Sequence, residues 1–241
     1  MTAVRPAARP AIHQAASLLL TYPDADWPAR LAAVAETMDG LPGAPPAALL
    51  RFCAYARDTP AMDLAARYVL TFDRSRRRTL HLTYYTDGDT RRRGASLARL
   101  KARYRAHGWQ PDGGELPDFL PAVLEFAARC PRSGLALLGE HRPALDLLRQ
   151  ALEAYRSPYA DVLRAVRDTL PPAVPADRAT ARALARTGPP GENVGLDVFP
   201  GFPGTPGSPG PAGSPGSAGG PDLGSPGSPA PGPPHAEGAR R

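Results

Sequence analysis

The chain has 241 residues and a formal net charge of +6, and 31 prolines and 24 glycines are unevenly spread along it. That length suits one domain or one domain plus a tail, and the composition selects the tail: residues 188–241 hold 15 of the glycines and 14 of the prolines, with Phe199 and Phe202 as the only aromatics. Such a segment has too little apolar surface to offset the entropy of ordering it, so a helical domain over 1–187 and a disordered Gly/Pro/Ser-rich tail over 188–241 are expected.

From the N-terminus, arginines precede an apolar run, but the run covers only Ala15 to Leu20 before Tyr22-Pro23, too short for a signal sequence or a membrane span. Helical spacing continues almost everywhere, with caps and breakers marking the ends. Helices are expected over Ile12–Leu20, Trp27–Met38 capped by Asp26, and Pro45 to Arg57. A single long helix is expected from Ala61 to about Tyr84, with Leu64, Tyr68 and Phe72 on one face. "TLHLTYYT" has strand-like composition inside helical surroundings. Asp89 or Thr90 should cap the next helix, which runs to His107 and ends at Gly108. A helix then opens near Pro117, and later ones span about Ser133–His141, Pro143–Tyr155, Tyr159–Leu170 and Asp177–Arg186. The expected fold is all-α, a compact bundle of about nine helices. In the tail, glycine falls at every third position from Gly201 to Gly219, the register of collagen. Asp222-Leu223 breaks it, and a disordered, polyproline-leaning tail is the expectation.

Function classes narrow next. Cys53 and Cys130 are far apart, with no CxxC and no histidine at ligand spacing, so they read as reduced core residues of a cytoplasmic protein and no metal or cofactor is expected. Between Arg74 and Arg105 lie eleven basic residues against Asp87 and Asp89. Consecutive helical residues point about 100° apart, so Arg76 to Arg78 and Arg91 to Arg93 cannot all face one duplex. No nucleic-acid module surrounds them. A solvated or partner-facing basic surface at Arg91, Arg92 and Arg93 is the preferred reading, and a basic helical nucleic-acid-binding protein the alternative. "DGD" at 87–89 resembles the start of a calcium loop, but Ala98 stands where the twelfth-position glutamate belongs. No histidine sits in a catalytic pattern, and His81 reads as a satisfied structural residue. Nothing points to an enzyme.

Two polar helix-joining corners stand out, "YVLTFDRSRRRTLHLTYYTDGDTRRRG" and "GGELPDFLPAVLEFAA". Through Tyr68, Thr71-Phe72-Asp73, Leu80 to Tyr85, Gly88 to Arg91, Arg93-Gly94, Glu115 to Asp118, Leu120-Pro121 and Leu124-Glu125-Phe126, the chain resembles the NarJ-type nitrate reductase delta subunits, assembly chaperones dedicated to a molybdenum enzyme. The resemblance runs over about residues 10–200 and includes "GPPGENVGLDVF"; the Gly/Pro tail lies outside it. It implies a cytoplasmic chaperone, not an enzyme. Such a protein binds the apo catalytic subunit of respiratory nitrate reductase at its N-terminal segment. It keeps that subunit competent for insertion of the molybdenum cofactor and an iron-sulfur cluster, and delays membrane docking. Molybdenum cofactor biosynthesis proteins are further implied partners.

A protein that grips a basic amphipathic segment needs an apolar groove edged with acid. The corners offer Tyr68, Phe72, Tyr84 and Tyr85, with Leu116, Phe119 and Leu120, as groove candidates. Asp73, Asp118 and Glu125 are the acidic ones, and the last two, seven residues apart, are expected on nearly one face of a helix. The plain alternative is that these aromatics are core, and that Glu125 is the buried partner of an arginine.

Overall fold

The computed structural model describes residues 6–111 and 114–188, and over these the chain is all-helical. Eleven α-helices follow one another: α1 (Arg9–Leu19), α2 (Trp27–Asp39), α3 (Ala44–Arg57), α4 (Ala61–Tyr68), α5 (Leu82–Asp87) and α6 (Arg91–Ala106), then α7 (Leu120–Arg129), α8 (Pro131–Glu140), α9 (Arg142–Ala154), α10 (Tyr159–Thr169) and α11 (Pro175–Thr187). The tail expected over 188–241 lies outside the described residues beyond Gly188. Among those described, no helix is long and apolar enough to cross a membrane.

Proline rather than a polar cap starts most of these helices. It occupies the first or second position of α1, α2, α3, α7, α8, α9 and α11, where its fixed φ suits the helix and its missing N–H costs nothing. Asp26 and Thr90 do occupy the positions before α2 and α6, but neither side chain caps its helix. Asp89, expected as a cap, instead pairs with Arg93 at 3.8 Å.

α1 is the central element, packed against α7 and α10, with α3 on α10 and α2 on α3. Phe52, Tyr68, Phe72 and Tyr159 stack at centroid distances of 4.6–6.0 Å where α3, α4 and α10 meet. Two side-chain hydrogen bonds tie α1 to its neighbours: His13 to Thr169 of α10 at 2.8 Å, and Ser17 to the Pro121 carbonyl of α7 at 2.8 Å. α8 meets α7 so closely that a Cβ on Gly134 would overlap the Ala127 backbone. Cys53 and Cys130 are both free thiols.

The long helix expected over 61–84 is broken. α4 ends at Tyr68, a π-helical turn covers Val69–Asp73, a short 3₁₀ turn covers Arg76–Arg78, and α5 begins only at Leu82. No Gly or Pro lies between 61 and 84 to announce the break. Its cause is tertiary. The Arg78 guanidinium donates to the carbonyls of Thr71 (2.8 Å) and Leu70 (3.3 Å) and so satisfies a helix end. The Tyr85 hydroxyl holds the carbonyls of Arg77 (3.1 Å) and Thr79 (3.0 Å). Residues 80–82 then run antiparallel to 118–120: the Leu120 amide donates to the Leu80 carbonyl (2.8 Å) and the Leu82 amide to the Asp118 carbonyl (3.0 Å). The strand-like "TLHLTYYT" thus supplies one isolated bridge, His81 to Phe119, before turning helical. That pairing also moves the start of α7 from Pro117 to Leu120, because Phe119 is held extended at φ −65°, ψ 120°.

Candidate functional site

The two corners singled out in the sequence are brought together by the 80–82/118–120 pairing. At its centre is Asp118, with none of its surface exposed. The carboxylate accepts from the Thr83 hydroxyl (2.5 Å) and amide (3.2 Å), from His81 Nδ1 (3.1 Å) and from Arg93 Nη2 (3.4 Å). Burial alone would raise the pKa of this carboxyl, but the hydrogen bonds from His81 and Thr83 and the charge of Arg93 outweigh it and hold the group below the usual carboxylate range. A buried carboxylate with four donors is a satisfied structural hub. It fastens α5, α6 and the entry to α7 to one point.

Asp118 therefore stands before α7, not on it, and does not share a helix face with Glu125. The buried partner of an arginine is Asp118. Glu125 is one-third exposed and pairs with Arg129 one turn on, at 2.9 Å. Arg93 turns inward to the hub, its side chain only 19% exposed, whereas Arg91 and Arg92 lie on the surface.

Outside the hub lies an open cleft of about 320 Å³. It is lined by Phe72 and Tyr84, both buried, and by Asp73, Ser75, Arg76, Thr79 and His81. The His81 ring, one-third exposed, also lies 5.5 Å from Phe119. Leu116, 41% exposed, is joined to this edge by the bond from the Phe119 amide to its carbonyl (3.0 Å). Glu115 is exposed beside it; partial burial pushes its carboxyl up, against the attraction of His81. The charges of Asp73 and Glu115 both act on the Tyr68 phenol, whose pKa burial has already raised.

The predicted groove residues separate accordingly. Phe72, Asp73 and Tyr84 share the cleft, with Phe119 and Leu116 at its His81 edge. Tyr68 and Leu120 are in the core, to which Phe72 also belongs; the Tyr68 hydroxyl donates to the Leu20 carbonyl at 3.0 Å. Tyr85 is mostly buried and turned to a different cavity, lined also by Arg77 and Leu147. Sequence reasoning missed Arg76 and Glu115 as surroundings of the cleft, and Tyr22, 48% exposed and packed edge-on against Tyr68 at 5.5 Å. Among the described residues no group of three His, Cys, Asp or Glu side chains is placed to hold a metal ion.

The family model described as nitrate reductase delta subunit matches residues 39–165, which carry both corners and the cleft. The chain belongs to this family. Among relatives of this delta-subunit member, the nitrate reductase-like protein NarX of Mycobacterium tuberculosis is 40% identical over 156 residues, 64% of this chain; those residues span only 24% of that much longer protein. The probable nitrate reductase molybdenum cofactor assembly chaperone NarJ of Bacillus subtilis is 32% identical over 151 residues, 62% of this chain and 82% of its own. The chaperone NarJ of Escherichia coli K12 is 34% identical over 148 residues, 60% of this chain and 63% of its own. The crystal structure of a putative redox enzyme maturation protein from Archaeoglobus fulgidus shares the delta-subunit fold at TM-score 0.51 and 21% identity, over 66% of this chain and 91% of that one.

Proposed function

We propose that this delta-subunit family member is a dedicated chaperone, not a catalyst, for the apo catalytic subunit of a respiratory nitrate reductase. It binds that subunit's N-terminal segment in the cytoplasm and keeps it competent for insertion of the molybdenum cofactor and an iron-sulfur cluster before membrane docking. The supporting observation is the cleft: it is lined by Phe72, Tyr84 and Asp73, with Leu116, Phe119 and Glu115 adjoining, inside the segment that matches the family. Exposed Leu116 and half-buried Phe119 near the acidic Asp73 and Glu115 suit an amphipathic segment with basic residues, the apolar contacts supplying most of the affinity and the carboxylates the long-range attraction. The buried hub behind the cleft holds its walls in fixed positions. The Mo cofactor is cargo for the client in this reading, and no residue of this chain is assigned to it.

Calorimetric titration of the full chain with a peptide of the client's N-terminal segment tests the assignment. Leu116→Ser and Asp73→Asn change exposed side chains, so folding should be unaffected. Leu116→Ser should weaken binding by about 1 kcal/mol, and Asp73→Asn by about 0.5–1 kcal/mol, mainly at low salt. Absence of peptide binding, or identical affinity in both variants, overturns the placement of the site.

A further inference from the structure

The cleft absorbs little of the arginine excess. Much of it faces a second depression, along the line where α11 lies on α9. Two adjoining cavities, of about 290 and 460 Å³, share Gln150 and Ala185 as common lining. The smaller is lined by Arg149, Arg167, Arg178 and Arg182 against a single carboxylate, Asp146. The larger is lined by Arg76, Arg77 and Arg186 and by no carboxylate. Seven guanidinium groups therefore border one trough.

Their internal pairing is incomplete. Asp146 is taken by Arg167 at 2.8 Å, and Arg149 pairs with Glu153 at 2.6 Å while its buried Nε has no hydrogen-bond partner. Arg178, Arg182 and Arg186 follow one another at four-residue intervals on exposed α11, so each repels the next along one helix face. No ion pair links them to a carboxylate among the described residues. α11 buries only Ala181, so packing offsets little of that repulsion. Cations held together in this way form a surface whose potential an anionic ligand would neutralise.

The lining also says what kind of anion. In the larger cavity the arginines border an apolar strip made by Leu147, Ala151 and Leu184. A nucleic-acid strand is held by bases stacked on exposed aromatic rings; the one ring here, Tyr85, is buried with its hydroxyl committed to two backbone carbonyls. We propose that the α9–α11 trough binds an acidic segment of a partner protein, with its carboxylates on the arginine row and apolar side chains on the Leu147/Leu184 strip. This site is opposite in sign to the cleft and shares only Arg76 with its lining, and it does not depend on the identity of the client.

The test uses the full chain and a fluorescein-labelled peptide of about 15 residues alternating Glu and Leu, read by anisotropy. The triple variant Arg178→Gln/Arg182→Gln/Arg186→Gln should weaken binding about tenfold or more, with a melting temperature no lower than that of the unmodified chain. A control removing the same charge from α6, Arg92→Gln/Arg99→Gln/Arg105→Gln, should change it less than about twofold. Replacing every Leu of the peptide by Ser should also cost about tenfold. Equal loss in the α6 control, tight binding of the Ser peptide, or binding of an oligo-dT strand as strong as that of the Glu/Leu peptide would each overturn the proposal in favour of a bare polyanion surface. No binding of the Glu/Leu peptide would overturn it outright.

Discussion

The Asp118 hub and the α9–α11 trough handle charge in opposite ways. At the hub one carboxylate, withdrawn from water, meets four donors from three side chains and a backbone amide, and its charge is fully used inside the protein. At the trough seven cations border one lining carboxylate, and five of them, Arg76, Arg77, Arg178, Arg182 and Arg186, are exposed to solvent. An ion taken out of water must be matched within the fold or the fold is lost, whereas an exposed ion can stay unmatched at small cost. Structural charge is therefore recognised by saturation, and charge available for recognition by its absence. By that measure Arg93 belongs to the architecture and Arg178, Arg182 and Arg186 to the surface, although all are arginines on helices.

Removing the hub carboxylate should give the largest effect. Asp118→Asn keeps the shape but leaves Arg93 and His81 facing a neutral amide. Because Arg93 retains 19% exposure and can recover some hydration, the expected loss is about 3 kcal/mol, the lower end of what breaking a buried pair costs. Urea unfolding measures it; a loss below about 1 kcal/mol would place the hub with the surface pairs and erase the contrast.

A second buried group sharpens the comparison by pH. His13 lies in the core with Nε2 on Thr169, while its Nδ1 faces the Ala127 carbonyl without reaching hydrogen-bond geometry. Burial, helped by the charge of Arg9, pushes its pKa down to about 4, against a smaller upward pull from Ala127. The unfolded chain binds a proton there near pH 6.5 and the native one does not. The contribution of His13 should therefore be full above about pH 6.5 and be lost between 6.5 and 4, roughly 3 kcal/mol, alongside that of His141, whose pKa burial also lowers. Asp118 shifts the same way for a different reason: its depressed pKa gives stability that persists above the ordinary carboxylate range and is lost only as the pH falls through the folded value. The two windows are separable. His13→Gln should reduce the slope of the stability curve between pH 6.5 and 4 and leave the steeper acid limb; an unchanged slope in that variant would remove His13 as a source.

The smallest effect belongs to Glu125. Its pair with Arg129 is exposed and one helical turn long, so Glu125→Gln should cost no more than about 0.5 kcal/mol in the same unfolding assay. A loss comparable with that of Asp118→Asn would show that exposure is a poor guide to which acid the fold needs.

Much of the architecture was legible because this chain writes its helix starts in proline: Pro28, Pro45, Pro121 and Pro143 each stand within two residues of a helix start. The break between α4 and α5 was not. Its stretch has helical spacing and no breaker, and it is opened by Arg78 reaching back to Thr71 and Leu70 and by the pairing of 80–82 with 118–120. The hub failed to show for the same reason: Thr83, His81 and Arg93 lie 25–37 residues from Asp118, and a seven-residue interval between two acids looks like one helix face until the helix is seen to begin between them. Phe72, Asp73 and Tyr84, offered as groove residues, line one cleft, while Tyr68 and Leu120, offered with them, serve the core, as Phe72 also does.

The attachment of α11 carries a further consequence. Apart from Ala181, it is fastened at its start, where buried Arg142 donates to the Pro171 carbonyl and lies 3.7 Å from Asp177. A helix held by one end and one small side chain opens at a free energy well below that of the whole domain. Since α11 is also a wall of the trough, whatever settles there binds only the closed form and must draw that equilibrium toward closure by the full difference in affinity. Helix docking and ligand occupancy are then one linked quantity, and a substitution at Arg142, touching no ligand, would be felt in the trough as a change in affinity.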